Sequence, residues 1–564
     1  YVIEPNVKEG KGGLRDLHEL YWIARFIYGA KRAKLQPPVK PHGVSAYMEL
    51  GLLDKAALGR FSKAIEFLWL TRIHLHFLAG RAVELLSFDR QDSMAQRMGY
   101  PGQHPNDRVE AFMHDYFRTT REVGALTRIA CAKLESQSAL LLPQGLDRLL
   151  PTTRRGLKNT GFVLDHGRLD FANPKQLQEN RLMMLDLFKV SGTRNLDIHP
   201  DAFADILLNL NLIDDSFRES HKAAEIFIDI LLTTKAPGAV LMSMNEAGVL
   251  GAYVPEFGEI AGRTQFNMHH AYTVDEHTIS LIRYLHDIES GELKREHPVS
   301  TRVTKSWDTR VRKIVYLACL LHDVGKGQGD QCIEGAMLSR KACRRMGLPE
   351  GDVETVSWLV RNHLEMSETA QRRDISDPQT IERFAGIVGS VTRLQMLTVL
   401  TCVDMRAVGP GIWNEWKGEL LRQLYVSTVK FLMGEADTHR KSDAVRDLME
   451  TLPKPTVKLV RETFNSLPNA YWQNHDLDEQ KLHAEFCART FEQDKEHAVT
   501  TQLNRNKDIT EAWVLTIDRP QLFADLTGAM SANGASVVSA QLHTGTDGTV
   551  FNVFYPQNSE DLAF

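Results

Sequence analysis

Cysteine is scarce in this chain and unpatterned: six in 564 residues, with no CxxC pair and no regular spacing. Cys131, Cys319, Cys332, Cys343, Cys402 and Cys487 lie mostly in apolar stretches of helical period. Free thiols in a reducing compartment fit that usage better than a disulfide framework. Long apolar runs are missing too. The longest, Ile314–Leu321, has eight residues, against the ~20 that a membrane-spanning helix needs. Residues 1–13 carry no signal-peptide pattern. Charge of one sign is also lacking: 67 Lys and Arg against 72 Asp and Glu leave a net charge of −5. That balance gives no electrostatic reason to expect nucleic acid or a membrane as partner. Repeats and low-complexity tracts are absent as well. What is present, 43% hydrophobic and 25% charged residues, is ordinary globular composition, and the expected location is cytoplasmic. The length suggests roughly three to four domains.

The periodicity predicts a predominantly α-helical protein with a small C-terminal α/β module. Over 1–140, Leu20, Ile23, Ala24 and Ile27 follow Asp16 at helical spacing, with further helical stretches at Ala56–Gly80 and Val109–Glu135. A second region, 141–250, starts with the Pro/Gly-containing Leu142–Gly156. An alternating piece follows, Gly161–Phe171, with a turn expected at Asp165-His166-Gly167; helical period then runs from Gln178 to Leu232 and breaks at Pro237-Gly238. Residues 251–436 are densely helical and hold seven of the 21 histidines, with the basic stretch Lys294–Lys313 read as a solvated connection. A polar helical connector is expected at 437–510. Over 511–564 the period changes to strand, helix, strand, strand: Trp513–Ile517, Gln521–Asn533, Ala535–Leu542 and Thr549–Tyr555. The chain starts at Tyr1 without Met and stops shortly after a strand, and it reads as a fragment of a longer protein.

Chemistry concentrates in His277, His322-Asp323, His363 and Asp404. About one His-Asp dipeptide is expected by chance, so the dipeptide alone says little. This chain has four, at His114, His286, His322 and His475. Only His322-Asp323 follows an eight-residue apolar run and precedes a Gly-rich turn, Val324-Gly325-Lys326-Gly327. A buried helix ending there would present imidazole and carboxylate side by side, which suits a metal site. The other three dipeptides, in polar surroundings, are expected to be surface pairs. His277 opens one helical stretch, His363 ends another, and Asp404 ends a third apolar one. Polar groups in such places are costly unless paired or metal-bound. Four unrelated helix-end residues, each satisfied locally, would be the plainer explanation of the residue types alone.

In order and context, His277, His322-Asp323 and Asp404 resemble the HD superfamily of metal phosphohydrolases. The surrounding segments resemble one family within it, the bifunctional uridylyltransferase/uridylyl-removing enzymes that modify the PII nitrogen-signalling protein. The resembling stretches are Glu4–Asp16, His270–Thr278, His322–Gly327, Thr369–Asp374, Trp413–Lys417 and Asp518-Arg519-Pro520. One departure stands out. The family commonly has a further His a few residues beyond the Gly-rich turn, where this chain has Gln331 in a turn one residue shorter. One bound metal is therefore expected rather than two.

The resemblance implies that 1–140 is the helical C-terminal part of a nucleotidyltransferase region, 141–250 a helical linker domain, 251–436 the HD domain, and 511–564 a partial ACT domain. It implies hydrolysis of a uridylyl-tyrosine phosphodiester on PII, releasing UMP, within an enzyme that also uses UTP and senses glutamine. His277, His322, Asp323 and Asp404 would hold the metal, with His363 as a further candidate, and His322, Asp323 and Lys326 would be catalytic. Residue types leave the ion open between Mg2+ or Mn2+ and Fe, Co or Zn; the resemblance implies Mg2+ or Mn2+. Arg372 and Arg373 are candidates to clamp a phosphodiester, or else partners of Glu368 and Asp374. Gly10-Lys11-Gly12-Gly13, with Lys8 and Arg15, is a candidate anion nest before a helix, or else simply a turn. Asp518 and Arg519 are candidates for effector binding. The transferase's Asp-x-Asp pair is expected before Tyr1, because the one such pair here, Asp476-Leu477-Asp478, lies in the polar connector without a glycine turn. Two other readings compete: an enzyme like the guanosine tetraphosphate synthetase/hydrolases, which place the HD domain first, and a non-catalytic module that binds PII or glutamine.

Overall fold

The computed structural model describes residues 3–32, 55–102, 104–138, 154–158, 160–173, 175–263, 272–375, 377–409, 411–433, 441–504 and 509–557. The start of the expected loop Leu142–Gly156 and of the motif His270–Thr278 lie outside them. The chain divides into two compact units. The first comprises 1–366 and 395–414, the second 367–394 and 415–564.

In the first unit, helices Leu14–Arg32, Lys55–Ala79, Phe88–Arg97 and Pro105–Ser138 bury Leu17, Leu20, Phe61, Leu68, Phe112 and Phe117 in one core. A three-stranded antiparallel sheet follows, Arg155–Gly156, Phe162–Asp165 and Arg168–Phe171. Its second hairpin turns where expected, at His166 and Gly167, both at positive φ (47° and 81°), the geometry of a two-residue hairpin turn. Pro237 starts a helix, Pro237–Glu246, instead of only ending one, since proline fits the first helical position. Further on come Val274–Ser290, Thr309–Leu321, Gln331–Arg345, Glu350–Asn362 and Val391–Ala407. Lys294–Lys313 is not simply a solvated connection. It contains the helix Pro298–Thr304, with Ser300, Thr301, Val303 and Thr304 buried, and then Asp308, which caps the next helix by accepting from Val311 N at 2.8 Å. The charges point out while small side chains point in.

The second unit holds a four-stranded antiparallel sheet in the order Ala498–Asn504, Ile509–Ile517, Thr549–Gln557, Ser536–Thr544. The expected strand–helix–strand–strand run is there, with the helix at Leu522–Ala532. An extra edge strand, Ala498–Asn504, comes from what reads in sequence as helical connector. Both faces are covered. Trp513, Leu515, Phe551 and Val553 pack with Phe464, Tyr471 and Phe486, while Ala512, Val514 and Phe554 pack with Leu526 and Met530. On the first of these faces, His475, His483 and His543 are buried around Tyr471. His475 is thus no surface residue, as its dipeptide suggested. Only Asp476 is exposed, and it caps the helix Leu477–Glu492 by accepting from Asp478 N and Glu479 N at 3.0 and 2.9 Å. None of the six cysteines forms a disulfide, and four of them are buried. Among the described residues no single helix is long and apolar enough to cross a membrane.

Candidate metal centre

Burial of Ile314–Leu321 on every side drives the end of its helix into the interior, and His322 and Asp323 follow at once, 1% and 3% exposed. His277, in the first turn of Val274–Ser290, and Asp404, late on Val391–Ala407, meet them there. His277 Nε2 lies 3.3 Å from His322 Nε2, 3.0 Å from Asp404 Oδ1 and 3.7 Å from Asp323 Oδ2. His322 Nε2 lies 3.1 Å from Asp323 Oδ2 and 3.7 Å from Asp404 Oδ1. Gly325 allows the turn: a Cβ there would stand 2.3 Å from the Gln331 carbonyl oxygen and 2.4 Å from Gly335 N.

These residues fit a divalent ion. Bonds of ~2.0–2.2 Å to N and O donors set neighbouring ligand atoms about 3.0–3.5 Å apart, close to the spacings observed. The tautomers agree. His322 Nδ1 is 2.9 Å from the Cys319 carbonyl, which can only accept, so Nδ1 carries the proton and Nε2 offers its lone pair to the centre. His363 repeats the pattern, its Nδ1 2.7 Å from the Val360 carbonyl, and its ring lies 5.3 Å from that of His322. Among the described residues, His277, His322 and Asp404 are a group whose ligand atoms all lie within 4.8 Å of one another.

Electrostatics follow from burial and pairing. Burial pushes the His322 imidazole down, but the Asp323 carboxylate, then Asp404, outweigh it and the net shift is upward. Burial raises Asp323, yet His322 and Lys326 hold it well below the usual carboxylate range. Burial likewise raises Asp404, and the hydrogen bond from His277 with the surrounding imidazoles brings it below its ordinary value. His363, desolvated and beside His322, is shifted down. Lys326 Nζ sits 2.6 Å from Asp323 Oδ2, so in this state it answers the centre's negative charge. Gln331 begins the helix Gln331–Arg345, whose N-cap is Asp330, accepting from Cys332 N and Ile333 N at 3.0 and 3.1 Å.

The remaining candidates are placed elsewhere. Lys11 pairs with Glu246, and Arg15 forms a bidentate pair with Glu9. Lys8 is half-buried, its Nζ 3.6 Å from Glu9. Arg372 pairs with Glu368 at 3.6 Å, the plainer of its two expected roles, and Arg373 is exposed. Asp518 is exposed with its N–H donating to the Gly548 carbonyl at 2.9 Å, and Arg519 pairs with Asp525 at 2.6 Å. One residue of the centre's surroundings went unremarked in the sequence. Asp275, fully buried two positions before His277, accepts from Arg121, from Asn245 Nδ2 at 2.7 Å and from Gly262 N at 3.0 Å. Its signal was an acid placed on the apolar face of its own helix.

The family model described as GlnD PII-uridylyltransferase matches residues 1–131. The uridylyltransferase GlnD third-domain model matches 162–253, and the HD domain model matches 274–390, a span that ends before Asp404. The match over 1–131 leaves the expectation of a fragment without the transferase core unsupported. The bifunctional uridylyltransferase/uridylyl-removing enzyme of Phenylobacterium zucineum is 40% identical over 575 residues, covering 100% of this chain and 59% of its own length. The enzyme of that name from Ruegeria pomeroyi is 42% identical over 571 residues, covering 99% and 61%. The chain thus spans less than two thirds of the length of these relatives. Along its whole length, then, this chain is similar to the matching part of the bifunctional uridylyltransferase/uridylyl-removing enzymes, with two GlnD domain models and the HD model following one another in sequence order.

Proposed function

We propose that the centre at His277, His322, Asp323 and Asp404 is a metal-dependent phosphodiesterase that removes uridylyl groups from a tyrosine of PII and releases UMP. The observation that carries the reading is the convergence of two imidazole nitrogens and two carboxylates at 3.0–3.7 Å, in a chain similar to these enzymes. The full function proposed is that of the family: UTP-dependent uridylylation and its reversal, set by glutamine, in the cytoplasm. Mg2+ or Mn2+ is the proposed ion, in a single site given Gln331. The glutamine effector is assigned to an ACT-like module at 511–564, with Asp518 and Arg519 as its candidate contacts.

A divalent ion held here supplies Lewis-acid polarisation of a phosphoryl oxygen and a lowered pKa for water. The protein's own part is orientation. The Cys319 carbonyl fixes the His322 ring, the depressed carboxylates stay ionised, and Lys326 places a positive charge beside them that can turn to the phosphodiester. Water adds across the phosphorus–oxygen bond, its oxygen going to UMP and a proton to the departing tyrosine oxygen. A phenolate of pKa about 10 leaves readily enough that no strong general acid is required.

The test is incubation of uridylylated PII with the chain and Mn2+, assayed for UMP. Asp323→Ala and His322→Ala should each abolish release while leaving the helical signal intact, since each removes a ligand and little core volume. Wild-type release from either variant would end the assignment.

A further inference from the structure

The carboxylate of Asp275 has no exposure at all, and it is held by three segments far apart in sequence. Arg121 reaches it from the helix Pro105–Ser138, Asn245 from Pro237–Glu246, and Gly262 from the turn after Pro255–Ile260. A buried carboxylate is tolerated only with such partners, so these bonds are what keep the first turn of Val274–Ser290 where it is. The Val274 N–H donates to the Arg263 carbonyl at 2.9 Å, fastening the same turn a second time. One residue past Asn245, Glu246 pairs with both Lys11 and Arg128. The segment matched by the uridylyltransferase model therefore grips this helix end directly at Asp275 and its neighbour at Glu246.

We infer that Asp275 and Arg121 are positioning residues for His277, so that the geometry of the HD centre depends on a side chain supplied by the segment that matches the uridylyltransferase model. The inference rests on the metal-centre reading above. His277 lies two residues beyond Asp275, and its Nε2 must stay 3.0 Å from Asp404 Oδ1 for the donors to converge. A displacement of about 1 Å at such a site can cost on the order of 100-fold. Loss of an outer partner of a metal ligand costs about 10–100-fold in affinity.

The experiment measures Mn2+ affinity of the whole chain by titration of free Mn2+, alongside helical signal and melting temperature. Arg121→Met and Asp275→Asn should each weaken Mn2+ binding by roughly 10-fold. Arg121→Lys should recover part of the loss, and the double variant should bind no worse than the poorer single one, as expected for residues acting as a unit. Arg340→Met, which breaks the exposed pair with Glu354, should leave affinity unchanged. Asn245→Ala, a milder cut at the same carboxylate, serves if the first variants fold poorly, and should weaken binding by a smaller factor. Unchanged affinity in folded Arg121→Met and Asp275→Asn overturns the inference, as does strict additivity. A wild-type chain that binds Mn2+ but releases no UMP would refute the proposed activity and leave the positioning role standing.

Discussion

At the scale of single residues, the centre divides into side chains that meet and one that stands beside them. His277 and His322 nitrogens lie within contact of both carboxylates, whereas His363 approaches only through its ring, 5.3 Å from that of His322. His363→Ala should therefore cost less UMP release and less Mn2+ affinity than His277→Ala, measured side by side. With Gln331 replaced by His, bound metal per chain should rise if that first helical residue turns inward toward His363. Two tightly bound ions in the unmodified chain, with His363→Ala as damaging as His277→Ala, would show that the site is dinuclear already. The four side chains that converge were legible as candidates because each sits where an apolar helix begins or ends. Asp275 was not, because Arg121, the partner that explains it, is 154 positions away, and no local pattern records such a bond.

At the scale of elements, helix Gln331–Arg345 depends on one exposed cap. Asp330→Ala removes both side-chain bonds to Cys332 N and Ile333 N and should cost about 1 kcal/mol of stability, read from denaturant unfolding, with metal binding little changed. Gly325→Val is a different matter. A side chain there meets backbone atoms at 2.3 and 2.4 Å, so the turn after Asp323 must shift and both stability and metal affinity should fall together. Helical period located the long helices to within a few residues, since their buried faces are continuous. It failed at Ala498–Asn504, whose residues Ala-Val-Thr-Thr-Gln-Leu-Asn alternate weakly, with Val499 62% exposed, so that no buried apolar face marks the strand. It failed again at Pro298–Thr304, where the inward face is Ser and Thr and carries no apolar signal.

For the molecule as a whole, the second unit should lose stability in mild acid. Its face between helices and sheet holds three buried imidazoles, with His475–His483 and His475–His543 ring centroids 4.7 and 5.5 Å apart. Glu479 stands 3.4 Å from His475 and the Tyr471 hydroxyl 3.1 Å from His483. Burial pushes His483 well down and His543 down to about 3. These bases stay neutral when folded, so their contribution is full above the unfolded value of about 6.5. It declines as pH falls from there toward about 3, because the unfolded chain takes up protons that the folded one refuses. Calorimetry should show a transition that moves to lower temperature below pH 6.5, and His543→Phe should reduce that movement.

The path of the chain has a consequence for how such a protein can be divided or exchanged. Its first unit leaves off at 366 and is taken up again only at 395–414, the stretch that brings Asp404. A piece cut at 390, where the HD match ends, would hold three donors and lack the fourth. Recombination that shuffled the HD segment as one contiguous cassette would therefore transplant an incomplete centre. During vectorial synthesis the same centre stays open until the ribosome has released the returning stretch, well after His277, His322 and Asp323 have emerged.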